Sequence, residues 1–184
     1  MGAKQSRYLV LIRGINVGGK NRVPMAALRE RLEALGFSNV STYIASGNVI
    51  LESDRRPTQI KSLIERALPE AFDLHDELVK VLVLSRDQLE AVVARKPKGF
   101  GDEPGTYHSD AVFLIDIDPD EAMTVFAPRE GVDRVWPGDG VIYSQRLSAL
   151  RTKSRLNKIV GTPQYRSMTI RSWQTTLALR ELMR

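Results

Sequence analysis

The chain contains no cysteine among its 184 residues, and it has only two histidines, His75 and His108. The first absence excludes disulfides, thiolate zinc sites, iron–sulfur clusters and cysteine nucleophiles. The two histidines show no spacing typical of metal ligands. The sequence therefore predicts neither a metal site nor a cofactor.

Long apolar runs are also missing. The run at residues 8–12 is far shorter than the about 20 residues that a membrane-spanning helix needs, and no targeting signal is visible. We therefore expect a cytoplasmic protein that does not associate with membranes. With 42% hydrophobic and 27% charged residues, its composition is that of an ordinary globular protein.

Sequence patterns of known catalysts are scarce as well. No nucleophile elbow and no carboxylate dyad is recognisable. His108, in the sequence Tyr-His-Ser-Asp, has the chemistry of a general base, but its setting is more typical of a histidine on the surface of a loop. The sequence therefore predicts no particular reaction.

Residues 8–84 show strand and helix patterns in the order β-α-β-β-α-β. Apolar β-branched runs predict the strands, and apolar residues spaced three and four apart predict the helices. The predicted strands are residues 8–13, 40–44, 48–52 and 78–84, and the predicted helices are residues 24–35 and 58–72. Residues 45–47 are typical of a turn, which makes the second and third strands a hairpin. This is the ferredoxin-like order, in which two helices cover one face of a four-stranded antiparallel sheet.

The same order returns in the second half of the chain. Ser85 and Gln88 have the capping pattern of a linking helix, and a loop rich in glycine and proline, which we expect to be mobile, follows at residues 96–109. The later predicted strands are residues 111–117, 132–136, 141–144 and 168–170, and the later helices are residues 119–126, 154–160 and 172–183. The sequence therefore predicts an α+β protein with two ferredoxin-like halves, residues 1–84 and 85–184, and a C-terminal helix.

A glycine-rich stretch, Arg13-Gly-Ile-Asn-Val-Gly-Gly-Lys-Asn21, directly follows the first predicted strand. Its glycines can adopt positive φ and turn backbone N–H groups towards an anion, and Arg13 and Lys20 add positive charge. The stretch is not a P-loop, because Asn21 replaces the Ser or Thr that would hold magnesium. It is not a dinucleotide fingerprint either, because Asn16 replaces the second glycine. It predicts either an anion nest or a connection that only needs unusual dihedrals.

A second polar cluster, Ser46, Gly47 and Asn48, occupies the turn of the predicted hairpin. Turn chemistry favours these residue types without any ligand. We expect this turn and the glycine-rich stretch to lie at opposite ends of adjacent strands. The sequence leaves open whether the two clusters meet.

Positive charge concentrates near the C-terminus. Residues 146–184 contain nine Lys or Arg and one acid, whereas the first 145 residues carry 18 basic and 21 acidic side chains. The asymmetry favours an anionic partner near this segment, although pairing of the arginines with acids elsewhere in the chain would explain it equally well. The side chains best suited to phosphate are those of Arg146, Ser154, Lys158 and Arg171.

Three motifs together resemble a known bacterial family. They are Arg13-Gly-Ile-Asn-Val-Gly-Gly19, Tyr43-Ile-Ala-Ser-Gly-Asn48, and Met168-Thr-Ile-Arg-Ser-Trp173 with Thr176. In this order and over nearly the whole chain, they are similar to the signatures of domain of unknown function 1697. The resemblance implies a fold of two ferredoxin-like units and no established reaction. Ser172 departs from the asparagine usual before the tryptophan, and Trp173 itself is expected to anchor the last helix in the core.

Three functions remain open. The first is binding of a small phosphorylated or otherwise anionic ligand; the predicted site residues are Arg13, Gly14, Asn16, Gly18, Gly19, Lys20, Ser46, Asn48, Arg146, Ser154, Lys158 and Arg171. The second is nucleic-acid binding, which the sequence pI of about 9.6 favours but the shortage of aromatic residues on the predicted strands opposes. The third is a structural or interaction module without a ligand site. The sequence predicts no oligomeric state.

Overall fold

The computed structural model describes residues 5–75 and 79–184. The chain divides into two compact units, Met1–Leu89 with Leu179–Arg184, and Glu90–Ala178. Each unit contains one four-stranded antiparallel sheet with accompanying helices, so the predicted α+β class is confirmed. Within the described ranges, no helix has both the length and the apolar character that crossing a membrane requires.

The first unit has the predicted element order. Its strands are β1 (Ser6–Arg13), β2 (Ser38–Tyr43), β3 (Asn48–Ser53) and β4 (Lys80–Ser85), and its helices are α1 (Met25–Ala34) and α2 (Pro57–Ala71). The strands lie side by side in the order β2-β3-β1-β4, and every pair is antiparallel. Residue 78, where we predicted the start of the fourth strand, lies outside the described residues.

Strand alternation explains the core of the first unit. Val10 and Ile12 of β1 pack, together with alternate residues of β3 and β4, against Leu28 of α1 and Ile64 of α2. The intervening residues Leu9 and Leu11 are also fully buried. Both faces of β1 are therefore shielded from solvent, which is why its sequence is a continuous apolar run rather than an alternating one.

The second unit repeats the strand order of the first. After α3 (Arg86–Ala94), its elements are β5 (Tyr107–Leu114), α4 (Pro119–Met123), β6 (Asp133–Gly138), β7 (Val141–Leu147) and β8 (Met168–Ser172), and α5 (Trp173–Leu182) ends the chain. The sheet order is β6-β7-β5-β8. The predicted cap of α3 is confirmed, because the Gln88 amide donates to Ser85 Oγ and the Ser85 amide donates to Gln88 Oε1.

The predicted helix at residues 154–160 is wrong. The chain between β7 and β8 instead forms short 3₁₀ helices, Ser148–Lys153, Leu156–Ile159 and Gln164–Ser167. The buried residues of the middle one, Leu156 and Ile159, are three positions apart, which matches the three residues per turn of a 3₁₀ helix. The backbone amide of Arg155 donates to the side chain of Asp133 instead of continuing a helix.

The fifth strand begins earlier than predicted. We expected a loop up to residue 109 and a strand at residues 111–117, whereas β5 runs from Tyr107 to Leu114. The first residues of β5 pair with the end of β7, from Tyr107 opposite Leu147 to Asp110 opposite Ser144. Both paired segments are polar, so neither shows the apolar alternation by which strands are recognised in sequences.

An aromatic cluster fills part of the second unit. The ring of Phe100 makes edge contacts with Trp136, Tyr143 and Trp173, at centroid distances of 6.0, 5.1 and 5.0 Å. Tyr143 also donates its hydroxyl proton to the carbonyl of Val92, at 2.6 Å. Trp173 is only 3% exposed, so its predicted role as a core anchor is confirmed.

Replacing Gly101 should disturb this cluster. A Cβ at Gly101 would lie 2.4 Å from Cδ1 of Trp173, whereas a Cβ at Gly99 would meet nothing within 4 Å, and both residues have positive φ. We expect Gly99→Ala to cost only the dihedral strain, about 1–2 kcal/mol. Gly101→Ala should cost a further 1–3 kcal/mol or so, because the indole must move. Urea unfolding of the two variants measures the difference, and equal destabilisation would contradict the described packing.

Candidate functional site

The glycine-rich stretch makes a tight turn after β1. Gly18 and Gly19 have φ of 57° and 77°, and the Lys20 amide donates to the carbonyl of Val17 at 3.0 Å. Asn16 and Asn21 also have positive φ, 55° and 50°. Glycine and asparagine are the residues that adopt positive φ most readily, which explains why the stretch is rich in these two residue types.

The Asn16 side chain connects this stretch to the turn between β2 and β3. Its Nδ2 donates to the carbonyls of Val23 and Ala45, both at 3.0 Å, and its Oδ1 accepts the Val23 amide at 2.8 Å. Both donors and one acceptor position of the carboxamide are therefore used. Asn16, which we predicted to bind a ligand, holds the two motifs together.

Our expectation that the two motifs lie at opposite ends of adjacent strands is wrong. Because β3 runs antiparallel to β1, its first residue, Asn48, lies opposite Leu11 near the end of β1. The amide of Ile12 donates to the carbonyl of Gly47 at 2.8 Å. A Cβ at Gly47 would lie 2.5 Å from the Ile12 carbonyl oxygen, so this close approach requires glycine.

Two buried asparagines, Asn48 and Asn21, hold the hairpin turn and the glycine-rich stretch through bonds to the backbone. Asn48 is fully buried, and its Nδ2 donates to the carbonyl of Tyr43 across the turn. Asn21 is also buried; its Nδ2 donates to the Gly14 carbonyl, and its Oδ1 accepts the amide of His75. Asn21 was absent from the predicted site. An asparagine in a stretch rich in glycine was the signal for its positive φ, but its partner, the His75 amide, is too distant in the sequence to infer.

A surface hollow of about 410 Å³, here called the loop hollow, lies where these segments meet α1. Its lining residues are Asn16, Gly19, Arg22, Val23, Pro24, Met25 and Ala45. Arg22 is the cation of the lining, whereas the predicted cations Arg13 and Lys20 are not part of it. Ser46 is exposed on the neighbouring turn, and Gly14, near the start of the stretch, is partly buried.

The N-terminus of α1 borders the loop hollow. Pro24 is the residue before the helix, no side chain caps it, and the first turn contains no acid. The first bond of the helix runs from the Leu28 amide to the Pro24 carbonyl, so the amides of Met25, Ala26 and Ala27 precede it. This helix end carries partial positive charge with no acidic side chain in the first turn to offset it.

The four residues predicted from the basic C-terminal segment all lie in the second unit. Ser154 and Lys158 lie in the segment of 3₁₀ helices, and Arg146 of β7 is opposite His108 of β5 and Asp133 of β6. Arg171 of β8 is buried, and its Nη1 donates to Thr169 Oγ1 and to the Ile170 carbonyl, at 2.8 and 2.9 Å. Burial lowers the pKa of Arg171 to about 10, which leaves it charged at neutral pH.

Asp133 organises the basic segment. Its Oδ2 accepts the backbone amides of Arg129 and Arg155, at 2.9 and 2.8 Å. Burial alone would raise the pKa of Asp133, but these amides, the Ser154 hydroxyl and the charge of Arg146 outweigh it and lower the pKa below its usual value. Four exposed cations lie in the same segment as the Arg155 amide: Arg151, Lys153, Arg155 and Lys158, here called the basic surface. In the described part of the chain, none of them has an acidic partner within 4 Å.

His108 differs from its interpretation as a loop residue. It lies on β5, and its Nε2 is 3.0 Å from Oδ1 of Asp110. Burial raises the pKa of Asp110, while the His108 and Arg146 charges and the hydrogen bond to His108 act in the opposite direction. The spacing of two residues between His108 and Asp110 was the sequence signal for this contact, because residues two apart share one face of a strand.

Replacing Asp133 should give a pH-dependent loss of stability. A carboxylate with a lowered pKa stabilises the fold above the pKa of the unfolded state, about 3.9, and this contribution disappears as the pH falls through the folded-state pKa. We expect Asp133→Asn to reduce the free energy of unfolding at pH 7 by roughly 1–3 kcal/mol, since an amide cannot replace the charged acceptor. The difference from wild type should shrink below pH 4.

Urea unfolding at pH 7, 5 and 3 measures this dependence. Asp54→Asn is the control, because Asp54 is exposed, and its effect should stay within about 0.5 kcal/mol at every pH. A constant cost of Asp133→Asn over this pH range would contradict the assignment of a charged anchor.

Comparisons with known proteins agree with this architecture. The chain is similar to a solved structure, that of conserved bacterial protein SP0830 from Streptococcus pneumoniae, with 28% sequence identity and a TM-score of 0.80, covering 98% of this chain and 100% of that chain. No curated protein matches the chain. The family model for "Protein of unknown function (DUF1697)" matches residues 5–143. Because this match covers more than half of the residues, the chain belongs to the DUF1697 family.

Proposed function

We propose that the loop hollow binds a small phosphorylated or otherwise anionic ligand. The single observation that carries the proposal is that the N-terminus of α1, without a side-chain cap, and Arg22 border the same hollow. Backbone amides at a helix N-terminus and a guanidinium group are the two groups that proteins most often use for phosphate.

The charge distribution around the hollow supports an anion. The lining contains one arginine and no acid, and Lys20 is exposed on the adjacent turn. The 10-residue helix α1 contributes a partial positive charge that falls off beyond its first turn. A ligand phosphate beside Met25 and Ala26 would therefore lie within the range of the helix end and of Arg22.

The framework around the hollow supports a site that is formed before the ligand arrives. Asn16 fixes both the carbonyl of Val23, at one wall, and that of Ala45, at the other. Gly18 and Gly19 complete the exposed turn, and a Cβ at either would meet nothing within 4 Å. Ligand binding to such a site does not include the cost of ordering the loop.

This proposal differs from the site that the sequence suggested. Arg22 replaces Arg13 and Lys20 as the principal cation of the proposed site. Asn16 and Asn48 stabilise the walls of the hollow and are not themselves the binding groups. Arg171 takes no part, because it is buried and bonded to its own strand. Arg146, Ser154 and Lys158 belong with the second candidate function, nucleic-acid binding. The basic surface favours that function, since its four cations have no acidic partner among the residues that the structure describes.

Substitutions at Arg22 and at the N-terminus of α1, the two groups proposed to bind the anion, test the proposal. Inorganic phosphate at about ten times its dissociation constant should stabilise wild type by about 1.4 kcal/mol, or 3–5 °C in melting temperature. Arg22→Ala should remove most of this response, whereas Arg66→Ala, which replaces an exposed arginine of α2, should retain it. Ala26→Asp should raise the stability of the free protein by about 0.3–1 kcal/mol and abolish the response, because its carboxylate occupies the helix end.

The proposal fails if phosphate, pyrophosphate and sugar phosphates leave the melting temperature unchanged, or if Arg22→Ala and Arg66→Ala respond alike. Binding of labelled single-stranded RNA to wild type, Arg22→Ala and Lys153→Ala, measured at several salt concentrations, tests the second candidate function. Salt-dependent RNA binding that survives Arg22→Ala and weakens in Lys153→Ala, with no response to phosphate, would favour nucleic-acid binding at the basic surface.

A further inference from the structure

A second cavity, here called the polar cavity, lies within the second unit and is separate from the residues used so far for anion binding. Its volume is about 290 Å³, at the lower end of the range for small-molecule sites. It is bounded by the start of β5, the end of β8, the start of α5 and the loop before β5. Its lining residues are Gly101, Pro104, Tyr107, His108, Ser109, Ser172, Trp173 and Gln174.

The walls of the polar cavity are fixed by contacts of their own. Lys96 Nζ donates to the Phe100 carbonyl and to Asp102 Oδ1, at 2.8 and 2.7 Å, which holds the loop on one side. The Tyr107 amide donates to the Glu103 carbonyl at 2.9 Å and joins the loop to β5. Trp173 is held between Phe100 and Gly101. The cavity is therefore preformed.

Ser109 gives the cavity an unsatisfied polar group. The residue is 9% exposed, and its Oγ is enclosed and has no hydrogen-bond partner in the part of the chain that the structure describes. Leaving a buried hydroxyl unpaired is unfavourable, and native proteins rarely do so without a reason. Oε1 of Gln145, which lies opposite Ser109 on β7, is unpaired in the same way. Because the Ser109 Oγ is enclosed, a bound ligand would supply its missing partner once the side chain turns towards the cavity.

The remaining polar groups of the lining both donate and accept hydrogen bonds. They are the hydroxyl of Tyr107, the carboxamide of Gln174 and the imidazole of His108, and the lining contains no Lys, Arg, Asp or Glu. The Ser172 hydroxyl is already used, because it donates to Thr175 Oγ1 and accepts the Thr175 amide. His108 Nε2 is 3.0 Å from Asp110 Oδ1 and is therefore already paired, so Nδ1 is the ring nitrogen left to meet a ligand.

We propose that the polar cavity binds a small uncharged polyhydroxy compound of about the size of a monosaccharide. Ligand hydroxyls donate and accept, as the lining groups do, so each can pair in either direction. The absence of a lining cation separates this site from one for phosphate. The edges of Tyr107 and Trp173 provide apolar surface for the C–H groups of such a ligand. The site is independent of the loop hollow and of the function proposed for it.

The two histidines of the chain make the proposal directly measurable. Because only His75 and His108 contribute imidazole signals, NMR distinguishes the polar cavity from the first unit. We expect D-glucose, D-ribose or myo-inositol at concentrations of about 10 mM to shift the His108 signals and to leave those of His75 unchanged. D-Glucose 6-phosphate serves as the charged comparison, and it should shift the His108 signals less than D-glucose does.

Ser109→Ala separates a binding role from a structural one. Loss of the hydroxyl should weaken binding of the responding polyol by about tenfold while leaving the melting temperature unchanged or higher, because an unpaired buried group is removed. Ser144→Ala is the matched control, since Ser144 is a buried serine of the same sheet that does not line the cavity, and it should retain binding. Absence of any His108 shift with the three polyols, a stronger response to the phosphate ester, or unchanged affinity of Ser109→Ala would each overturn the proposal.

Discussion

The side-chain amide of Asn16 is the interaction on which the architecture of the first unit's candidate site depends. It bonds to Val23 and to Ala45, which are 7 and 29 positions away along the chain. Without it, Ile15 and Asn21 would still hold the stretch to the first unit, but no side chain would join it to Ala45 of the hairpin turn. With it, the stretch, the hairpin turn and the start of α1 form one surface with a defined hollow.

Both units use buried polar side chains mainly to satisfy the backbone. Asn21 and Asn48 bond to carbonyls of the first unit, and Tyr143, Asp133 and Arg171 bond to backbone groups of the second. Such groups explain why polar residues stand at positions where apolar ones would be expected.

The element order could be predicted from the sequence because apolar periodicity decides it. β1, α1 and α2 carry continuous or helical apolar patterns, and their predicted bounds agree with the structure to within two residues. The start of β5 and the 3₁₀ segment could not be predicted, because polar strand residues and side-chain acceptors such as Asp133 replace that periodicity. The resemblance seen in three motifs is confirmed at the level of the family.

The backbone of the glycine-rich stretch could be predicted from the sequence, whereas its side-chain contacts could not. Positive φ at the glycines follows from residue type, and it is observed. The contact with the hairpin turn follows from the antiparallel pairing of β1 and β3, which brings the turn to the end of β1 and not, as we expected, to the opposite end. Arg22, which directly follows the stretch, could not be preferred to Arg13 and Lys20 without knowing which of the three side chains faces the hollow.

Hydrogen exchange at the Val23 amide in Asn16→Gly tests the central claim most directly. Glycine keeps the positive φ of this position, so the substitution removes the carboxamide bonds without adding dihedral strain. Our account predicts that the Val23 amide, which donates to Asn16 Oδ1 in wild type, exchanges at least about 100-fold faster in the variant, as expected for loss of bonds worth roughly 3 kcal/mol together. Equal protection of this amide in both proteins would show that the stretch is held by other contacts.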